Sequence, residues 1–215
     1  MPELDFAVVG AEVERYAAAP MLRFRLQVSS REPGMRIRNV LLQCQIRIEA
    51  TRRAYAPAEQ ARLRELFGAP QDWGHTLRSL LWGHVQMTVP AFEEACEVDL
   101  PVPCSYDFTL ATAKYLYGLE AGELPLLLLF SGTVLYAGAG GALQMDQVSW
   151  SKEATYRLPV AVLHEMTAHY YPDGVWLRLS QDVFERVYAH KRARGLLTWE
   201  QALESLLDER QEPVS

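Results

Sequence analysis

Leu22-Arg23-Phe24-Arg25-Leu26-Gln27-Val28 alternates apolar and polar side chains without an error. The pattern returns at Val40, Leu42, Cys44, Ile46 and Ile48, with Leu41, Gln43, Gln45, Arg47 and Glu49 between them. Successive side chains of a strand point to opposite faces, so each run makes one dry face and one wet face. Sheets built this way are antiparallel and bury one side. The two runs therefore predict a β-rich, largely antiparallel core. Alternation carries no chemistry of its own, so function has to be sought elsewhere in the chain.

Working outward, Phe6 to Val13 reads as a further strand, and Glu32-Pro33-Gly34 reads as the turn of a hairpin joining the two strong runs. The period then changes. Pro57 opens a helix with Leu63, Leu66 and Phe67 on one face, and Gly68 stands just past its end. Asp72 is expected to cap a second short helix carrying Leu77, Leu80 and Leu81. Alternation resumes with Val85, Met87 and Val89 on one face and His84, Gln86 and Thr88 on the other. Cys96, Val98, Leu100, Val102 and Cys104 repeat at period two, and Tyr106, Phe108 and Leu110 extend the pattern. Pro101 and Pro103 lack N–H donors, which places that strand at a sheet edge. Leu124 to Phe130, continuing to Tyr136, is an apolar run read as a central strand covered on both faces. Gly138-Ala139-Gly140-Gly141 turns the chain back into Leu143 to Trp150.

The last third turns helical. Pro159 starts a helix to His169, Val175 to Leu179 reads as a short strand, and Ser180 caps a helix that runs to Arg194 and stops at Gly195. Thr198 and Gln201 make a capping box for a last helix ending near Leu207. The expected fold is α+β: an antiparallel β-sandwich of about eight strands over 1–158 with a two-helix insertion near 57–82, then a C-terminal helical cap over 159–210 packed on the same domain.

Composition narrows the function classes. Half the 215 residues are hydrophobic (49%), so the chain has core enough without a disulfide or structural metal. A net charge of −6 repels phosphates, which argues against nucleic acid and anionic membranes. The apolar run from Leu124 is far short of the roughly 20 residues of a membrane helix. Met1-Pro2-Glu3-Leu4-Asp5 has no basic-then-apolar order, so no secretory signal is expected. An odd count of 3 cysteines fits a reducing compartment, and a cytoplasmic protein is expected.

Few residues offer chemistry. A zinc-binding helix needs two histidines one turn apart, but His164 and His169 are spaced so that their side chains diverge by about 140°. Cys96 and Cys104 would lie about 26 Å apart on an extended strand, and Cys44 sits in an apolar row, so all three read as buried thiols. No metal and no cofactor is expected. The glycine run at 138–141 precedes a strand rather than a helix, unlike a phosphate loop. Ser131-Gly132 likewise continues as strand and lacks the pattern of a nucleophile elbow. Lys191-Arg192-Ala193-Arg194 closes a helix, where cations oppose the macrodipole. Glu93, Glu94, Glu97 and Asp99 read as solvated carboxylates. What remains is surface: Trp73, Trp82, Phe92, Trp150, Tyr170, Tyr171 and Trp176 stand at breaks in pattern, and exposed aromatics anchor protein interfaces.

Several phrases resemble a bacterial family of unknown function common in actinobacteria: Leu66-Phe67-Gly68, Leu81-Trp82, Val89-Pro90-Ala91-Phe92, Leu100-Pro101-Val102-Pro103-Cys104-Ser105-Tyr106-Asp107-Phe108, Lys114-Tyr115, Leu129-Phe130-Ser131-Gly132 and Tyr170-Tyr171-Pro172. The resemblance spans about Phe6 to Leu207. It implies genes encoded beside those of nickel–iron hydrogenases, hence an accessory role in maturation or assembly, and it brings no catalytic residue. The leading expectation is a non-enzymatic binding or assembly protein with a protein partner. The alternative is a small-molecule or metal-dependent enzyme in a cleft between sandwich and cap, using His84, His164, Glu165 and His169. Free strand edges would also permit a homodimer.

Overall fold

The computed structural model describes residues 2–104, 110–172, 174, 177 and 179–208. The fold is α+β, with mixed helices and two antiparallel sheets. The smaller sheet has the order β1 (Leu4–Val13), β2 (Met21–Ser30), β5 (Ala95–Pro103). The larger has the order β4 (Leu80–Val89), β3 (Ile37–Ile48), β6 (Glu123–Ala137), with β7 (Leu143–Gln147) and β8 (Glu153–Pro159) both pairing with β6. The dry rows read from the sequence are the core: Leu22, Phe24, Leu26 and Val28 of β2, and Val40, Leu42, Cys44, Ile46 and Ile48 of β3, are all buried. Aromatic pairs join the sheets. Phe6 stacks on Phe130 with ring centroids 4.4 Å apart, and Phe24 meets the edge of Trp82 and tilts against Tyr156.

The expected β2–β3 hairpin is overturned. β2 pairs with β1 and β5, while β3 pairs with β4 and β6, so the turn at Glu32-Pro33-Gly34 carries the chain from one sheet to the other. Alternation specifies a dry face but not the neighbour, and two dry rows meet as well across a core as side by side. β5 does lie at a sheet edge, with its prolines facing outward. β6 is central by its edges, not its faces. Leu124, Leu126, Leu128, Phe130 and Val134 are buried, but Leu127, Leu129 and Leu135 on the opposite side are only half-buried.

The insertion also differs in part. α1 (Pro57–Phe67) ends at Gly68, which takes a φ of 78° as a C-terminal cap should. The second helix is one turn, α2 (Trp73–Thr76), and Asp72 makes no side-chain cap. Leu80 and Leu81 already belong to β4, where the larger sheet claims them. Two elements differ from the sequence expectation: α3 (Leu110–Gly118) and β8. Tyr106 and Phe108 lie outside the described residues, but Leu110 opens a helix rather than extending a strand. α3 buries Thr112 and Tyr115, with Leu119 just past its end. That spacing is helical, masked by a threonine whose hydroxyl donates to the Leu81 carbonyl at 2.8 Å.

The chain divides into two compact units, Met1–Asp173 and Gly174–Ser215. α4 (Val160–Tyr170) lies in the first and packs on β1 and β8, so the division falls after this helix rather than before it. The second unit is a hairpin of α5 (Gln181–Ala193) and α6 (Trp199–Asp208). Ser180 caps α5 by accepting from the Val183 N–H, and Thr198 and Gln201 form the reciprocal capping box. The segment from Val175 to Leu179 falls largely outside the described residues. Among those described, no helix is long and apolar enough to cross a membrane.

Gly132 lets the two central strands approach closely. Its φ is +146°, and a Cβ built there would stand 2.0 Å from the Leu41 carbonyl oxygen. Gly132→Ala should therefore lower stability by at least about 2 kcal/mol in urea unfolding. Gly74→Ala, whose new methyl would meet nothing within 4 Å, should change it little.

Candidate functional site

The aromatic residues singled out from the sequence mostly turn inward. Trp82 is 4% exposed and donates from Nε1 to the Pro103 carbonyl, and Phe92 is 7% exposed and bridges to Ile37. Burial removes both from any surface. Trp73 is half-buried, edge-on to Tyr55 and Phe67, with Nε1 donating to the Gly68 carbonyl at 3.1 Å. Tyr170, also half-buried, donates its hydroxyl to the Glu14 carbonyl and meets His169 edge-on. Tyr171 is the half-buried cap of α4. Trp176 lies outside the described residues. Among the described six, Trp150, 93% exposed, is the one that stands fully in solvent.

The histidines and acids do not converge. His164 Nε2 is 3.2 Å from the Leu119 carbonyl, and His169 Nε2 is 3.0 Å from the Arg15 carbonyl, so each ring holds a different loop. Glu165 pairs with Arg15. His84 lies on β4 opposite Gln45. Among the described residues no cluster of three or more His, Cys, Asp or Glu side chains could hold a metal ion. Burial pushes the thiols of Cys44 and Cys104 up to about 12, and raises Cys96 as well, so all three resist forming thiolate. The acidic stretch is dispersed, Glu93 facing Arg36 and Asp99 facing Arg23.

An apolar surface does form where the sequence reading placed none. It lies on the outer face of the larger sheet, at the β6–β7 hairpin. Register sets Asn39 beside Leu135 and Leu135 beside Met145, with Leu41 beside Thr133 and Leu143 beside Ala137. Leu41, Leu143 and Met145 are 49%, 67% and 69% exposed. A shallow groove of about 480 Å³ runs between Arg38, Asn39, Leu135, Gly141 and Leu143. Farther along the same face Gln43, Gln86 and Ser131 are exposed, as a wet face should be. In the sequence Leu41, Leu135, Leu143 and Met145 stand out of phase with the dry rows, and the long apolar run of β6 masks Leu135.

A second groove, near the start of β6, is lined by Arg52, Arg53 and Arg157 and by Glu59, Glu120 and Glu123. Its charges are spent on one another or on neighbours: Arg53 on Glu59, Arg157 on Glu123, Arg62 on Glu120. The Arg53–Glu59 pair is buried, with side chains 6% and 3% exposed. Arg53 also donates to the carbonyls of Ala121 and Glu123. Burial by itself would raise the Glu59 pKa, but the N–H groups of Glu120 and Ala56 and the Arg53 guanidinium outweigh it and hold the carboxyl below its ordinary value. A carboxyl lowered on folding stabilises above its unfolded pKa, and that stability is lost as pH falls through the folded one. Glu59→Gln should cost about 3 kcal/mol at neutral pH. The gap from the wild type should narrow on acidification below the ordinary value of 4.5, as measured by denaturant unfolding across pH.

No curated protein matches the chain. Among solved structures, it is similar to β-glucosidase 3B from Thermotoga neapolitana in complex with α-D-glucose, at 13% identity, covering 73% of this chain and 17% of that one, with a TM-score of 0.25. The chain thus spans a small part of that enzyme, and the likeness is too loose to bear on fold or activity. A family model does match, over residues 1–215. The chain belongs to the family of unknown function DUF6084.

Proposed function

We infer that the protein is a non-catalytic binding or accessory protein that takes hold of a protein partner through the outer face of its larger sheet, at the β6–β7 hairpin. The apolar patch of Leu41, Leu135, Leu143 and Met145 carries this reading. In an antiparallel sheet with one dry side, apolar groups on the other side add nothing to the core. They gain when a partner covers them, by about 1.5–3 kcal/mol for each large side chain removed from water. Arg38 and Asn39 border the groove and supply the polar rim that such interfaces carry. β7 pairs with β6 along one edge, and among the described residues no strand pairs with its other edge, so a partner strand has a ladder to join.

The two sheets, taken as layers of a β-sandwich, make a rigid platform for that surface. The scattered placement of His84, His164, Glu165 and His169 supports binding over metal-dependent catalysis. A cytoplasmic partner in nickel–iron hydrogenase assembly is the first to try, given what the sequence resemblance implies.

Affinity capture from the native host tests the reading. Tagged wild-type protein should enrich a partner, and Leu143→Glu/Met145→Glu should reduce that enrichment at least about tenfold, which is 1.4 kcal/mol. Both side chains are largely in solvent, so the melting temperature should hold. Capture of nothing above background, or equal capture by the variant, would refute it.

A further inference from the structure

The second unit has almost no interior. Among the described residues of α5 none is buried, and in α6 Ala202 alone is. Yet the hairpin is rich in large apolar groups. Phe184, Tyr188 and Trp199 form a cluster, with Phe184 and Trp199 centroids 5.1 Å apart and Tyr188 about equally close to both. Leu203 and Leu207 follow Trp199 at one-turn and two-turn spacing, on the same side of α6. Phe184, Tyr188, Trp199, Leu203 and Leu207 remain 38% to 63% exposed. Helices of this length are marginal alone in water, and two of them cannot bury enough surface to stand as a unit.

The turn between them is nevertheless built with care. Leu196 N–H donates to the Lys191 carbonyl and Gly195 N–H to the Arg192 carbonyl, with Gly195 at a φ of 65°. This is the paired-bond motif that closes a helix C-terminus, and the Thr198–Gln201 box opens the next helix three residues on. His190 meets the Ser205 hydroxyl across the hairpin at 3.2 Å. The two helices are fixed to one another while their apolar stripe stays partly exposed.

Charge says what covers the stripe. The loop end of the hairpin is basic, with Lys191, Arg192 and Arg194 against Glu200. The open end is acidic, with Asp182, Glu185, Glu204 and Asp208 against Arg186, which pairs with Asp182 at 3.9 Å. Two copies related by a two-fold axis, stripe to stripe and running in opposite directions, set each basic end beside the partner's acidic end. A two-fold contact presents the same patch from both sides, so such a patch must be self-complementary, as this one is. Parallel alignment would instead bring like ends together, which is costly.

We propose that the hairpin of α5 and α6 is a dimerisation element, and that a second copy of this chain completes an antiparallel four-helix bundle over Phe184, Tyr188, Trp199, Leu203 and Leu207. The surface is distinct from the β6–β7 patch, and the proposal stands whether or not that patch binds a partner.

Charge exchange in the full-length chain tests it. One variant carries Arg192→Glu/Arg194→Glu and the other Glu204→Lys/Asp208→Lys; all four positions are exposed. Light scattering of the wild type should give twice the 24.4 kDa chain mass. Each variant alone should dissociate at least about tenfold more readily, because both ends of its dimer then repel. An equimolar mixture of the two should restore the dimer, a result no misfolded variant can produce. The wild-type dimer should also loosen between about 0.05 M and about 0.5 M salt. A monomeric wild type overturns the proposal, as do variants that dimerise undiminished or a mixture that stays monomeric.

Discussion

The larger unit depends on contacts between rings of its two sheets. Phe6 from the smaller sheet lies flat on Phe130 from the larger, while Phe24 is caught between Trp82 and Tyr156. Aromatic side chains bring the largest buried area per residue and prefer definite mutual angles, so they fix the distance and the slide of one sheet over the other. Aliphatic rows of β2 and β3 fill the space that the rings define. The buried rows of both sheets are consumed in this way, which leaves the opposite faces, the edges and the loops accessible.

The loops are tied down by polar contacts to the main chain rather than by clusters of side chains. Arg53 gathers the carbonyls of Ala121 and Glu123 against Glu59, Tyr55 donates to the Ala50 carbonyl beside Tyr115, and the two histidines of α4 each hold a backbone carbonyl. His164, His169 and Glu59 thus each meet backbone groups of a segment distant in sequence.

The legibility of these features in the sequence followed the physics of each. The dry rows of strictly alternating strands are legible in the sequence, β3 most plainly, and so are helix ends with Gly68, Ser180 or the Thr198–Gln201 pair, because each satisfies an orphan backbone group. Pairing is not. A dry row does not encode its neighbour, so β2 and β3 were joined across a turn that in fact changes sheets. α3 hid behind Thr112, a polar group buried because it has a carbonyl to bond. β8, with Ala154, Tyr156 and Leu158 in phase, carried a fair signal that went unread beside the stronger helix after Pro159. The apolar surface was missed for a different reason. Tryptophans and phenylalanines at pattern breaks are the groups a core most readily absorbs, while leucine and methionine out of phase stay outside.

The way β7 and β8 share β6 has a consequence of its own. Both pair along the same side of that strand, one after the other, and the chain passes between them near Phe130 and Gly132, where Phe130 N–H bonds the Lys152 carbonyl and Val148 N–H bonds the Gly132 carbonyl. What would have been one long open border facing solvent is thereby cut into two short ones, of 5 and 7 residues. Long flat borders template fibrils, and short interrupted ones do not. On this side of the larger sheet an added strand would meet only a short ladder at either border.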